Sequence, residues 1–217
     1  IDAAGGGLEH VEREKNKHTE RLLPLVDAVL KERNVTVADC AAVAFGAGPG
    51  AFTGIRTACA AAQGLAWAVD RPVICVPTLT AAAVLFFCEQ PDVRRVLIAL
   101  DARMHECYVQ AFEAGHPDAP AALSEPAAVK PSEIGNLVCE FNCGAAAGSA
   151  FAVYPEATES AGCPVFAGLE VTSRGVALLA RTMFMKGEVV TASLASPIYV
   201  RNRVALTIKE RQAGEKL

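Results

Sequence analysis

A glycine-proline turn that opens directly into a long helix constrains this chain more than any other feature. Residues Phe45 to Val69 read FGAGPGAFTGIRTACAAAQGLAWAV: the end of a strand, a turn at Gly46, Gly48 and Gly50, then a helix. The missing side chains in the turn let another main chain or a ligand come close. Thr53 is the expected N-cap, its hydroxyl accepting from an otherwise unpaired amide. Gly54, Ala58 and Ala62 recur every fourth residue, so one helix face is almost bare and a second helix is expected to pack close to it.

Strand-like and helical segments alternate on either side. Gly7–Arg13 alternates as a strand, and Lys15–Arg33 is an amphipathic helix capped by Asn16. Leu22, Val26 and Val29 form one stripe of that helix and Leu23 with Leu30 a neighbouring one. A surface helix of a monomer needs a single apolar face, so the second suits a partner. Cys40–Phe45 and Pro72–Val76 are apolar runs typical of buried parallel strands, and Pro77–Phe87 reads as a helix. Arg95–Leu100 is a strand, Asp101-Ala102-Arg103 a turn, and His105–Phe112 a returning strand. Further on come a loop over Gly115–Pro120 and a short helix within Pro126–Val138 that begins near Ser132. Phe141–Gly148 is a strand passing into a turn. Thr172–Lys186 is an amphipathic helix stopped by Gly187. Pro197–Arg201 is extended and the end after Thr207 loose. This order implies an α/β fold with a mostly parallel sheet.

With 217 residues, 52% of them hydrophobic and 6% aromatic, the chain buries an aliphatic core as one domain or two small lobes. A net charge of −4 gives no general attraction to polyanions. The eight cysteines lie mostly in apolar or alanine-rich runs, as Cys59, Cys75 and Cys88 do, and are expected as small buried hydrophobes. Cys139 and Cys143 stand four apart with no second pair to complete a zinc site. No apolar run reaches the ~20 residues of a membrane span; the longest candidate is Val76–Cys88. A soluble, cytoplasmic protein without a metal is expected.

The glycine turn before a helix is a place where free amides and the helix dipole converge on an anion. Equally, the glycines serve a tight turn alone, since no Gly-Lys-Ser/Thr phosphate loop follows. Of the four histidines, His10, His18, His105 and His116, none stands in a helical metal pair: Leu22 lies four residues after His18 and Glu14 four before it. Asp101 and Arg103 read as a local pair holding a hairpin. Arg56, one turn into the bare-faced helix, is suited to a partner's carboxylate or to a role in its own fold.

GPGAFTGIRTACAAAQGLA resembles the signature of the TsaB (YeaZ) family of tRNA threonylcarbamoyladenosine biosynthesis proteins, long grouped with the glycoproteases. It departs from that signature at Ala51, where serine is usual. Three further stretches agree in family order: KHTERLLPLVDAVL (Lys17–Leu30), DARMHECYVQAF (Asp101–Phe112) and PIYVRNRVA (Pro197–Ala205). The resemblance implies an actin/hexokinase-like (ASKHA, ribonuclease-H-like) α/β fold of two small lobes, 1–92 and 93–217. Ile1–Ala4 would be the end of the family's opening strand, with a starting methionine and a hairpin expected but missing. Asp2 would be the strand-end carboxylate that meets Mg-phosphate in related kinases, with Gly48 and Gly50 also nucleotide-proximal.

The resemblance also implies a role. The chain would be catalytically inert and would support TsaD, the transferase of this modification, as a heterodimer, with the ATPase TsaE joining the pair. In TsaD the helix equivalent to Lys15–Arg33 carries a His-x-x-x-His metal motif that this chain lacks. The expected partner face comprises His18, Leu22, Val26, Gly54, Arg56, Ala58 and Ala62, with a homodimer when the partner is missing. RNA would be met only through the complex, and no cofactor is expected for the chain alone, with ATP or ADP belonging to the complex. Two other readings are a phosphotransferase or ATPase using Asp2 and the glycine loop, and a glycoprotease-type metallopeptidase.

Overall fold

The computed structural model describes residues 7–12, 18–116 and 119–200. Helix α1 is His18–Glu32 and runs on through Pro24. Strand β1 (Val43–Gly48) follows, then α2 (Phe52–Ala68), β2 (Val73–Pro77) and α3 (Thr78–Glu89). β1 and β2 pair in parallel, with Val43 opposite Val73 and Phe45 opposite Cys75. The second sheet begins with β3 (Arg95–Asp101) and β4 (Cys107–His116), then β5 (Ala119–Ala122) and β6 (Ala127–Val129). Helix α4 (Ile134–Glu140), strand β7 (Ala145–Ala147) and helices α5 (Ala150–Val153) and α6 (Pro155–Ala161) come next. Strand β8 (Val165–Phe166) and helix α7 (Ser173–Met185) complete the elements, ahead of an extended run to Val200. In this sheet β3 pairs antiparallel with β4 and parallel with β7, and β7 parallel with β8. β5 and β6 both pair with β4.

The apolar run that the sequence placed at Val76–Cys88 is α3, and it is buried all round. Leu79 and Ala81 through Phe87 are buried, which is what a helix apolar on every side requires. Ala81 and Val84 face β2, where Ile74 and Val76 join Leu179 and Ala180 of α7. Leu79, Ala82 and Phe86 face the second sheet at Val96, Ile98 and Phe112. One helix thus serves as core for two sheets, each such buried large side chain contributing roughly 1.5–3 kcal/mol. The outer face of the first sheet is covered by α2 through Cys59, Ala62 and Ala66, together with Ala192 and Ala195. The outer face of the second sheet is covered by α4, α5 and α6 through Ile134, Phe151 and Tyr154. The layers therefore run helix, sheet, helix, sheet, helix, which is the actin/hexokinase-like arrangement. Residues after Thr172 return to the first sheet: α7 packs on β1 and β2, and Val190 bridges Val73. A division near Pro91–Arg95 parts the two sheets but not what covers them. Among the described residues no helix is long and apolar enough to cross a membrane.

Several sequence expectations change. Residues 7–12 form no strand; they are held through side chains, Glu9 to Ser173 and Arg174, His10 to Glu32, and Glu12 to Arg21. Arg13 and the cap Asn16 lie outside the described residues. The first strand starts at Val43 and not at Cys40, because the Cys40 amide closes a turn onto Val37. Thr53 is no cap: α2 starts at Phe52 from Ala51, without a side-chain cap. Part of the Gly115–Pro120 loop is strand, since Ala119–Ala122 finds partners along β4; β6 precedes the expected short helix, which does begin near Ser132, as a 3-10 turn at Pro131–Glu133 leading into α4. Helices α5 and α6 and strand β8 were not anticipated. Thr172 does flank α7 and Gly187, at φ +75°, does end it. Cys59 is buried and Cys75 half-buried, but Cys88 is exposed, one residue from the end of α3; none of the eight is bonded to another.

A candidate partner face and the cleft beside it

Helix α2 presents two faces, and the sequence had divided them differently. Ile55, Cys59, Ala62 and Ala66 are buried, while Phe52, Thr53, Arg56, Ala60, Gly64 and Trp67 are exposed. Ala62, at 3% exposure, sits with Phe45 and Val73 in the chain's own core, and Ala58 packs half-buried against the same cluster. The stripe Gly54–Ala58–Ala62 is thus partly turned inward, and Ala62 is withdrawn from the partner face. The side-chain-poor positions that do face outward are Ala60 and Gly64.

Helix α1 is the opposite case. It carries Leu22, Leu23, Leu25, Val26, Val29 and Leu30, yet from Thr19 to Glu32 no residue is buried; Leu22 and Val26 are half-covered and Leu23 is 54% exposed. His18 opens this helix.

Arg56 is the one charged residue of α2, and it is held in place by aromatic groups. Its guanidinium carbon lies 3.8 Å from the centre of the Phe52 ring, one turn earlier. Its Nε donates to the Tyr199 hydroxyl at 2.9 Å, and the Phe52 and Tyr199 rings stand 6.1 Å apart. Tyr199 belongs to the extended segment that follows α7, so this contact joins residues from opposite ends of the chain.

The glycine turn serves that same segment. The Gly48 amide donates to Thr78 Oγ1 at 3.0 Å, and the Ile198 amide donates to the Ala47 carbonyl at 2.8 Å. A Cβ on Gly48, whose φ is +117°, would lie 2.6 Å from the Ile198 carbonyl oxygen. The bareness of Gly48 therefore admits the returning main chain, and its amide is already spent. That amide is therefore not offered to an anion. Gly50 lines a neighbouring cleft, and Asp2 lies outside the described residues.

That cleft, about 480 Å³, lies between the Pro49–Phe52 loop, the Asp101–Met104 turn and Tyr199. Asp101 Oδ1 accepts from the Arg103 amide and from the Tyr154 hydroxyl, each at 2.8 Å, and Oδ2 stands 3.3 Å from Arg103 Nη1. The pairing of Asp101 with Arg103 expected from sequence is present; Tyr154 and Ser149, whose Oγ accepts from the Asp101 amide, were missed because they lie about fifty residues away. Burial, with the Asp101 hydrogen bond and charge, pushes the Tyr154 hydroxyl up to about 12. Arg103, Met104 and His105 all have φ between +54° and +62°, an uncommon run for residues with side chains. The turn is pinned at one end by Asp101 and at the other by His105, whose Nε2 is 2.9 Å from Glu156 Oε1 and whose ring meets Tyr154 edge-on. Among the described residues no group of three or more His, Cys, Asp or Glu side chains is placed to hold a metal ion.

Comparison with known proteins agrees with this fold. The family model described as TsaD, tRNA N6-adenosine threonylcarbamoyltransferase, matches residues 9–172. The tRNA threonylcarbamoyladenosine biosynthesis protein TsaB of Escherichia coli K12 is 31% identical over 90% of this chain and 86% of its own. TsaB of Haemophilus influenzae is 42% identical over 48% of this chain and 44% of its own. Two solved structures from Pseudomonas aeruginosa are similar. A protein described as uncharacterized with similarity to peptidase YeaZ has a TM-score of 0.79 at 32% identity, covering 88% of both chains. YeaZ itself has a TM-score of 0.75 at 31% identity, covering 88% of this chain and 87% of the other. A shared fold, near-complete coverage and identity above 30% lead to one assignment: the chain belongs to the TsaB (YeaZ) family, within the wider family that the TsaD model describes.

Proposed function

We propose that this chain takes part in the threonylcarbamoyladenosine modification of tRNA as a non-catalytic partner of a TsaD-type transferase. Membership of the TsaB family supports the pathway. The partner role is carried by one observation: α1, apolar on more than one side, has no buried residue from Thr19 to Glu32. An apolar surface left half-covered along a whole helix suits an interaction site. The partner face comprises His18, Leu22 and Val26 of α1 with Gly54, Ala58 and Arg56 of α2, extended to Ala60 and Gly64. TsaE joins the pair, tRNA is met through the complex, and a homodimer forms when the transferase is missing. The spent Gly48 amide argues against a nucleotide at the glycine turn, so ATP or ADP belongs to the assembled complex. We place the protein in the cytoplasm on this pathway's account.

The test is to co-express the chain with a TsaD-family transferase, purify the complex and assay threonylcarbamoyl transfer to tRNA. Stable 1:1 co-elution, with transfer that needs both proteins, is expected. Independent elution, or full transfer by the transferase alone, would reject the reading. Gly64→Arg adds a bulky charge where no atom lies within 4 Å of a new Cβ, so it leaves the fold intact and is expected to abolish co-elution. Ala58→Arg is the poorer probe, since Ala58 touches the core.

A further inference from the structure

We propose that Arg56, clamped between Phe52 and Tyr199, is the anchor for a single carboxylate side chain presented by a helix of the transferase partner; this rests on the partner reading above. An exposed helical arginine ordinarily answers to an acid three or four residues away. Here those positions hold Phe52, Thr53, Cys59 and Ala60, and α2 contains no acid at all. The guanidinium is instead fixed by the Phe52 ring beneath it and by the Nε bond to Tyr199. Among the described residues neither Nη group is engaged. A fork whose orientation is already set loses little side-chain freedom on binding and matches the two oxygens of a carboxylate.

What lies beyond Arg56 favours a helix as the bearer of that acid. Phe52, Arg56, Ala60, Gly64 and Trp67 fall on one side of α2. The ends of this strip are large, with Phe52 43% exposed and Trp67 72% exposed. Its middle is bare, and the strip is about 22 Å long at the helical rise per residue. A crossing helix approaches closely over Ala60 and Gly64, and that approach removes water from Arg56. Arginine and aromatic residues in such a setting dominate interface energetics. A phosphate of RNA fits less well. Binding a polyanion takes an array of cations, whereas α2 offers one and the chain carries a net charge of −4.

The experiment measures affinity of the full chain for the transferase by titration calorimetry, with Arg56 replaced by Gln, Lys and Glu and with Tyr199→Phe. Affinity is expected to fall about 30-fold for Gln, about 10-fold for Lys, which keeps the charge but not the fork, and over about 100-fold for Glu. Tyr199→Phe keeps the ring but frees Nε, and is expected to cost about threefold. An acid-to-arginine scan of the transferase should find one change that restores Arg56→Glu by tenfold or more. The three Arg56 variants should stay folded, because the Arg56 side chain is exposed, and so should Tyr199→Phe, which keeps its ring beside Phe52. Arg56→Gln binding within twofold of the unmodified chain would overturn the inference and leave the partner reading standing. Failure of the unmodified chain to bind would overturn both. An effect confined to self-association would assign the strip to a second copy, and one confined to tRNA binding would assign it to phosphate; either outcome rejects the carboxylate.

Discussion

Glu9 accepts hydrogen bonds from Ser173 Oγ at 2.5 Å and from the Arg174 amide at 2.7 Å. A carboxylate from the first described segment thereby caps the last helix, at the end where the helix dipole favours negative charge. Burial alone would raise the Glu9 carboxyl. The bonds from Ser173, Arg174 and Thr172 outweigh it and hold the carboxyl below its ordinary 4.5.

The sign of the resulting pH dependence follows. A lowered carboxyl stabilises the fold above its unfolded value and loses that contribution as pH falls through the folded value. Glu9→Gln is expected to lower stability by about 1 kcal/mol at pH 7. It should also remove part of the stability loss expected below about pH 4.5 in the parent protein. Thermal melts of both proteins from pH 3 to 7 check this, and parallel curves would refute it.

Gly48→Ala tests the returning segment. The new methyl would stand 2.6 Å from the Ile198 carbonyl, on a backbone at φ +117°, so either the turn or the segment must move. A loss of about 2–4 kcal/mol is expected. The Ile198 amide, bonded to Ala47 in the parent, should lose protection in hydrogen exchange. An unchanged melting point would mean that the segment is not fixed at Gly48.

Thiol labelling should divide the cysteines by burial. Cys88 and Cys139 are exposed. Burial, helped by the Asp101, Glu156 and Glu106 charges, pushes Cys107 up to about 12, and burial with Cys163 nearby pushes Cys143 up to about 11. The thiolate is the reactive species. At pH 8 Cys88 and Cys139 should be alkylated first, with Cys107 and Cys143 labelled only after unfolding. Peptide mass spectrometry reads the order, and early labelling of Cys107 would contradict the packing.

The chain alone should bind tRNA weakly, with Kd no tighter than about 10 µM at ~150 mM salt, as expected without a basic array. Filter binding across a salt series measures it. A sub-micromolar Kd would place an RNA surface on this chain.

Much of this was legible in the residues. α3 announced itself as an apolar run with no polar face, and β3 with β4 as strands flanking the Asp101 turn. The outward face of α2 was not legible, because Ala58, Ala60, Ala62 and Gly64 are all small and hydropathy gives no direction to such a helix. The inward face is fixed by Ile55 and Cys59 meeting the first sheet and residues 192–195, which only the fold brings together. Arg56 was identified from its position, but its clamp was not: Tyr199 is 143 residues away. Short elements such as β5, β6 and β8 exist because β4 and β7 offer free edges, not because their own residues demand a strand.

The lacing of α7 and residues 190–198 onto β1 and β2 also dictates the order in which this protein can be made. When the first half leaves the ribosome, the faces of Ile74 and Val76 have nothing to meet on the α7 side, and Val73 lacks the strand partner that Val190 supplies. Those partners are synthesised about a hundred residues later. Such distant pairings are slow to form, and until they do, the early sheet is an adhesive surface. The first sheet is therefore begun early and finished last, and chains that stop before Thr172 should aggregate rather than fold as a smaller domain.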